Sequence, residues 1–170
     1  MPKDKAKHKS QFRIEILIPI FSVLFLVIML AVTCTGPKEV ATAEQVRIAI
    51  LEAGYQPVDA TELYAEDMPG LIQCIAFEKD DVYFNFYVFQ DHRGSGNLYG
   101  HIASYININY SGAECAEHTS AQSNYCIRTV AVHGRYVVDI YVDNTVVYAY
   151  CDEGNEQGIC DVLRTIGYFD

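Results

Sequence analysis

The chain has 170 residues, with 12 basic against 22 acidic side chains and a net charge of −10. Such acidity argues against nucleic acid as a partner and against lying flat on anionic lipid. The length suits one domain with its own core beside a targeting segment, and no internal repeat or low-complexity run is evident.

Lys3, Lys5, Lys7, Lys9 and Arg13 precede an uncharged run, Ile16–Val32, interrupted only by Pro19 and Ser22. A helix of that length reaches about 25 Å, at the short end of what spans a bilayer. Basic residues beside such a segment stay on the cytoplasmic side. Up to Glu15 there are five basic and two acidic side chains, roughly +3, which leaves −13 on the remainder. The expected order is a cytoplasmic basic tail (1–13), a single-pass anchor in the lipid bilayer (14–33), a linker (34–42) and an extracytoplasmic domain (43–170). Two other fates of the segment stay open. A cleaved signal would use Ala41-Thr42-Ala43, far downstream of an apolar run longer than signals need. Lipid attachment at Cys34 meets a poor match in Ala31 and Thr33.

Thr42-Ala43-Glu44-Gln45 offers a capping box, and Val46, Ala49, Ile50 and Ala53 follow at helical spacing. Gly54 supplies a left-handed stop, with Tyr55 folding back on the last turn. Leu71–Phe77 and Val82–Phe89 then read as strands about the turn cluster Glu78-Lys79-Asp80-Asp81. Leu98, Ile102, Tyr105 and Ile106 mark a middle helix. Asn124–Val132, Arg135–Val142 and Thr145–Cys151 form a meander through His133-Gly134 and Asp143-Asn144. The closing helix has an apolar stripe of Ile159, Val162, Leu163 and Ile166, then Gly167 and Tyr168. The expected fold class is α+β, α-β-β-α-β-β-β-α, with an antiparallel sheet of about five strands and helices mainly on one face.

Alternation assigns Val82, Phe84, Phe86 and Val88 to the helix-covered face, with Tyr83, Asn85, Tyr87 and Phe89 opposite. Likewise Tyr136, Val138, Ile140 and Val142 face in, and Val137, Asp139, Tyr141 and Asp143 face out. The second face is therefore rich in tyrosine. It reads either as a docking surface through Tyr83, Asn85, Tyr87, Asp139 and Tyr141, or simply as tyrosines suited to strands.

The strings AEQVRIAILEAGY (Ala43–Tyr55), AFEKDDVYFNFYVFQD (Ala76–Asp91) and RYVVDIYVDNTVVYAY (Arg135–Tyr150), with Asp59-Ala60-Thr61 and Ile166-Gly167-Tyr168, carry a resemblance. The chain after about residue 43 resembles a group of uncharacterised small bacterial α+β proteins, exported on a lipobox or a membrane anchor. The resemblance implies fold and export and no activity. The chain departs from that group in its outer-domain cysteines and in Gly94, Gly96 and Gly100, where the middle helix would start.

Outside the cytoplasm disulfides form, and the candidate pairs are Cys151–Cys160 and Cys115–Cys126, with Cys74 a buried thiol. Cys115-x-x-His118, with Cys126 and His133, holds zinc-ligand types at irregular spacing. As nucleophile and base, Cys115 and His118 lack an orienter and an oxyanion donor. Gly94-Ser95-Gly96-x-x-x-Gly100 is one residue too long for a dinucleotide fingerprint and reads as a flexible turn, and His92 and His101 beside it as solvated side chains. Asp80-Asp81 and Asp152-Glu153-x-x-Glu156 lack calcium-loop spacing. Asn109-Tyr110-Ser111 matches a glycosylation triplet that is common by chance and that the bacterial resemblance makes uninformative. No metal site and no cofactor are assigned. The leading expectation is a membrane-tethered binding module for an envelope protein or peptide, without a catalytic constellation. The rivals are a small envelope hydrolase or zinc enzyme using Cys115 and His118, and a structural accessory subunit of an envelope complex.

Overall fold

The computed structural model describes residues 36–110, 115–119 and 124–170. The expected basic tail and the anchor over 14–33 lie outside the described residues. Among the described residues, no helix is long and apolar enough to cross a membrane. Pro37–Asp170 forms one compact unit.

Among the described residues, four helices, α1 (Ala43–Glu52), α2 (Thr61–Tyr64), α3 (His92–Asn109) and α4 (Gln157–Thr165), accompany seven strands. The strands are β1 (Val58–Asp59), β2 (Leu71–Lys79), β3 (Val82–Phe89), β4 (Cys115–Thr119), β5 (Tyr125–Val132), β6 (Arg135–Val142) and β7 (Thr145–Asp152). They make a single sheet in the order β1-β2-β3-β7-β6-β5-β4, and every pairing is antiparallel. The fold class is the α+β expected, with two strands more than five. Both extra strands are edges that carry little signal. β1 has two residues, and β4 reads Cys-Ala-Glu-His-Thr, poor in β-branched and aromatic side chains.

Local signals form as the chain dictates. Thr42 and Gln45 close the capping box of α1. Gly54 and Gly167 take positive φ, and the amides of Tyr55 and Tyr168 bond back to the carbonyls of Ile50 and Leu163. His133 and Gly134 both have positive φ in the β5–β6 turn, as a tight right-twisting hairpin requires.

The stretch expected as a linker is docked from residue 38. Asn124 clasps the backbone of Lys38 at both N–H (3.1 Å) and C=O (2.9 Å), and Ala41 is buried with its N–H on Tyr168 Oη. A few polar bonds and one small apolar side chain suffice here, which no periodicity announces.

On the first face α1 and α4 bury Val46, Ile50, Ile159, Val162 and Leu163 against Ile75, Phe84, Phe86, Ile140 and Val147. The inward sets of β3 and β6 are those read from alternation. Tyr55 stacks on Phe77 with ring centroids 4.2 Å apart, and its phenol lies where a side chain on Gly158 would project. The expectation that helices cover mainly one face is corrected. α2 and α3 lie on the opposite face, over Cys74, Tyr87, Phe89, Val130, Val137 and Val146.

Candidate functional site

Register sorts the second face into three rows that cross the sheet. Cys74, Tyr87, Val146, Tyr141 and Cys126 form one, and Ala76, Asn85, Tyr148, Asp139 and Arg128 the next. Glu78, Tyr83, Tyr150, Val137 and Val130 form the third. α3 starts at Asp91, whose carboxylate accepts from the amides of Arg93 and Gly94. Those bonds pull the carboxyl of Asp91 below its ordinary pKa. Gly94 is therefore helical and not a flexible turn, because its missing Cβ lets the first turn rest on the Phe89 ring. Ser95 Oγ donates to the Asp143 carbonyl at 2.6 Å, and Tyr99 Oη lies 2.8 Å from Cys126 Sγ. Leu98, Tyr99 and Ile102 then cover the first row, and Ile106 with Tyr110 covers Val130 and Val137.

The five residues expected to form a docking surface are thus mostly enclosed. Asn85 is 1% exposed, Tyr87 4% and Asp139 0%. Tyr83 and Tyr141 are only partly buried. The Asn85 side chain is the hub of a polar cluster, its Nδ2 lying 2.6 Å from Tyr83 and Tyr87 Oη and 3.0 Å from Tyr64 Oη. Two N–H donors face three phenols, and the 3.0 Å bond between Tyr64 and Tyr83 accommodates the third. Burial drives the phenols of Tyr83 and Tyr87 well above the ordinary tyrosine pKa. Cover removed the surface, and polar satisfaction took its place.

The face keeps an opening. Tyr83, Tyr148 and Tyr150 on the sheet and His101, Ile102 and Tyr105 on α3 line an open cleft of about 480 Å³. Tyr83 and Tyr150 stack at 4.7 Å, while Tyr148 stands at 66° to Tyr83 and 57° to Tyr150. The rings form a corner. On Tyr150, the Arg135 guanidinium lies 5.3 Å from the ring centroid and pairs with Asp152 at 3.4 Å. Burial raises the pKa of Tyr148 and Tyr150, with Glu78 adding to the effect on Tyr150. Tyr83, Tyr148 and Tyr150 therefore stand in the cleft as neutral phenols, which offer ring faces and hydroxyls. Sequence reasoning found Tyr83 and the tyrosine face. It missed Tyr148 and Tyr150, which strand pairing sets beside Tyr83, and Tyr105, which only the crossing of α3 brings to them.

The remaining chemical candidates separate. Cys74, Cys126, Cys151 and Cys160 are unbridged, which corrects both disulfide assignments. Cys115 pairs in register with Val130 and Cys126 with Thr119, so their backbones stand four positions apart along the ladder. That is about 13 Å, beyond the reach of a disulfide. Cys151 and Cys160 are both buried, and burial pushes the Cys151 thiol up to about 11. Positions 115 and 118 differ by an odd number along β4, opposite Val130 and Ile127, which pack on opposite faces. Among the described residues no group of three metal-ligating side chains is found. Asp81 accepts from the Asp152 amide and the Asn155 side chain, so this acidic corner is a hydrogen-bonded turn.

No protein-family model matches the chain, and no curated protein matches it. Among solved structures it is similar to a GTP binding regulator from Thermotoga maritima. That likeness has a TM-score of 0.45 at 12% identity, over 79% of this chain and 93% of the other. The extracellular domain of PknH from Mycobacterium tuberculosis gives 0.37 at 12%, over 75% and 90%. Neither likeness transfers a ligand or an activity to this chain.

Proposed function

We propose that the protein is a membrane-tethered, extracytoplasmic binding module whose ligand site is the cleft between α3 and the sheet. The observation that carries the reading is the corner of Tyr83, Tyr148 and Tyr150, closed on its third side by Tyr105 of the helix. Its volume is that of a small-molecule or side-chain pocket, and its lining is aromatic with few polar groups. The tether rests on the lysine-flanked run Ile16–Val32, and the bacterial, exported character on the resemblance described above.

The test uses the isotope-labelled full chain in lipid nanodiscs, titrated with choline, N-acetylglucosamine and a proline-rich peptide. Saturable shifts confined to Tyr83, Ile102, Tyr105, Tyr148 and Tyr150 are expected for at least one probe. If none of the three moves those resonances, the cleft is not a binding site. Placement is tested separately. Protease added to intact cells should digest the folded unit, and digestion only after permeabilisation would invert the orientation.

A further inference from the structure

We propose that the cleft takes a quaternary trimethylammonium cation of the choline type, an inference that rests on the reading of the cleft as a ligand site. Three independent features of the chain point to a cation. The first is geometric. A cationic methylated head gains from several ring faces set at angles to one another, since each face presents the negative part of its quadrupole. Tyr148 stands across the Tyr83–Tyr150 stack, and Tyr105 approaches from the helix.

The second is the way this chain already uses its tyrosines. Residues 36–170 hold seven basic side chains, and four of them lie over tyrosine rings: Lys38 on Tyr125, Lys79 on Tyr55, Arg128 on Tyr99 and Arg135 on Tyr150. The tyrosine rings of this chain are thus recurrently used as seats for cations. Tyr150 has Tyr83 stacked on one face and Arg135 over the other, so it supports the corner and the free faces are those of its neighbours. Tyr83, Tyr105 and Tyr148 line the cleft with no lysine or arginine among its lining residues.

The third is charge. The remainder of the chain after Glu15 carries −13, and Glu78 stands beside Tyr83 in register and acts on Tyr150. Arg135 on Tyr150 offsets Glu78 locally, so the preference for cations over anions comes from the net charge of the chain. A neutral sugar would use the same rings but gain nothing from this charge.

The experiment is calorimetric titration of the full chain in nanodiscs made without choline lipids. The probes are choline, its uncharged isostere 3,3-dimethylbutan-1-ol, and N-acetylglucosamine. Choline should bind, and the isostere should bind at least about ten-fold more weakly, because it matches shape without charge. Tyr105→Leu on the exposed side of α3 should weaken choline several-fold, while Tyr105→Phe keeps the ring and the affinity. Equal binding of choline and isostere overturns the cation assignment, and so does N-acetylglucosamine binding without choline. Both of those results leave the cleft standing as a site. Silence from all three probes overturns the cation assignment, and silence from the proline-rich peptide as well removes the site. Phosphatidylcholine vesicles, run beside free choline, distinguish a bilayer source of the head group from a dissolved one.

Discussion

Asn85 is the residue on which the second face turns. Its amide is buried among Tyr64, Tyr83 and Tyr87, and it sits beside Tyr148 in register. Asn85→Leu would fill the space and leave three phenols without their shared partner, costing about 1–3 kcal/mol. Urea unfolding measures it, and an unchanged midpoint would mean the phenols are satisfied elsewhere. The sequence showed that Asn85 shares a face with Tyr83 and Tyr87, because strand alternation fixes that. It did not show burial, since a polar residue between aromatics on an apparently outward face reads as solvent-exposed. Only Tyr64, brought in by a four-residue helix after Asp59, completes the cluster.

At the level of elements, α3 decides what the tyrosine face becomes. Its three glycines weaken it as a helix and suggested a turn. Their surroundings differ, however. A Cβ on Gly94 would collide with the Phe89 ring, whereas Gly96 and Gly100 have open space. Gly94→Ala should therefore lower stability despite alanine's better helix propensity. Gly96→Ala and Gly100→Ala should each raise it by about 0.5–1 kcal/mol. Thermal melts of the three variants separate a packed helix from a loose segment, because a turn would show no such division. Leu98, Ile102 and Ile106 did announce a helix with one apolar stripe. What they could not announce is which side of the sheet it covers, since both faces offered apolar rows: Val82-Phe84-Phe86 on one, Tyr87-Phe89 on the other. The end helices were legible throughout, with the capping box at Thr42 and both glycine stops local in origin.

For the whole molecule, a seven-stranded sheet with helices on both faces buries Cys74 and Tyr87 and half-buries Tyr83, Cys126, Tyr141, Tyr148 and Tyr150 on its rows. Burial raises Cys74 from an ordinary 9.0 to about 12 and Cys151 to about 11. A group that holds its proton longer folded than unfolded contributes in full below its unfolded pKa. That contribution is lost as pH rises towards the folded value. The urea midpoint should accordingly stay level near neutrality, and fall from about pH 9 upward as unfolded thiols and phenols ionise first. A midpoint that rises in alkali would contradict this burial. The sheet's centre was readable because β3, β5, β6 and β7 are strong alternating runs joined by tight turns. Its edges were not, for β1 and β4 are held by partners and not by their own composition.

Tyrosine nitration of the folded full chain, mapped by peptide mass spectrometry after brief exposure to tetranitromethane, tests the enclosure of the second face most directly. Tyr105 should react first, Tyr83, Tyr148 and Tyr150 more slowly, and Tyr87 only after unfolding, as does the core residue Tyr168. Nitration of Tyr87 at the rate of Tyr105 would mean that α3 does not cover the sheet, and that the cleft as described does not exist.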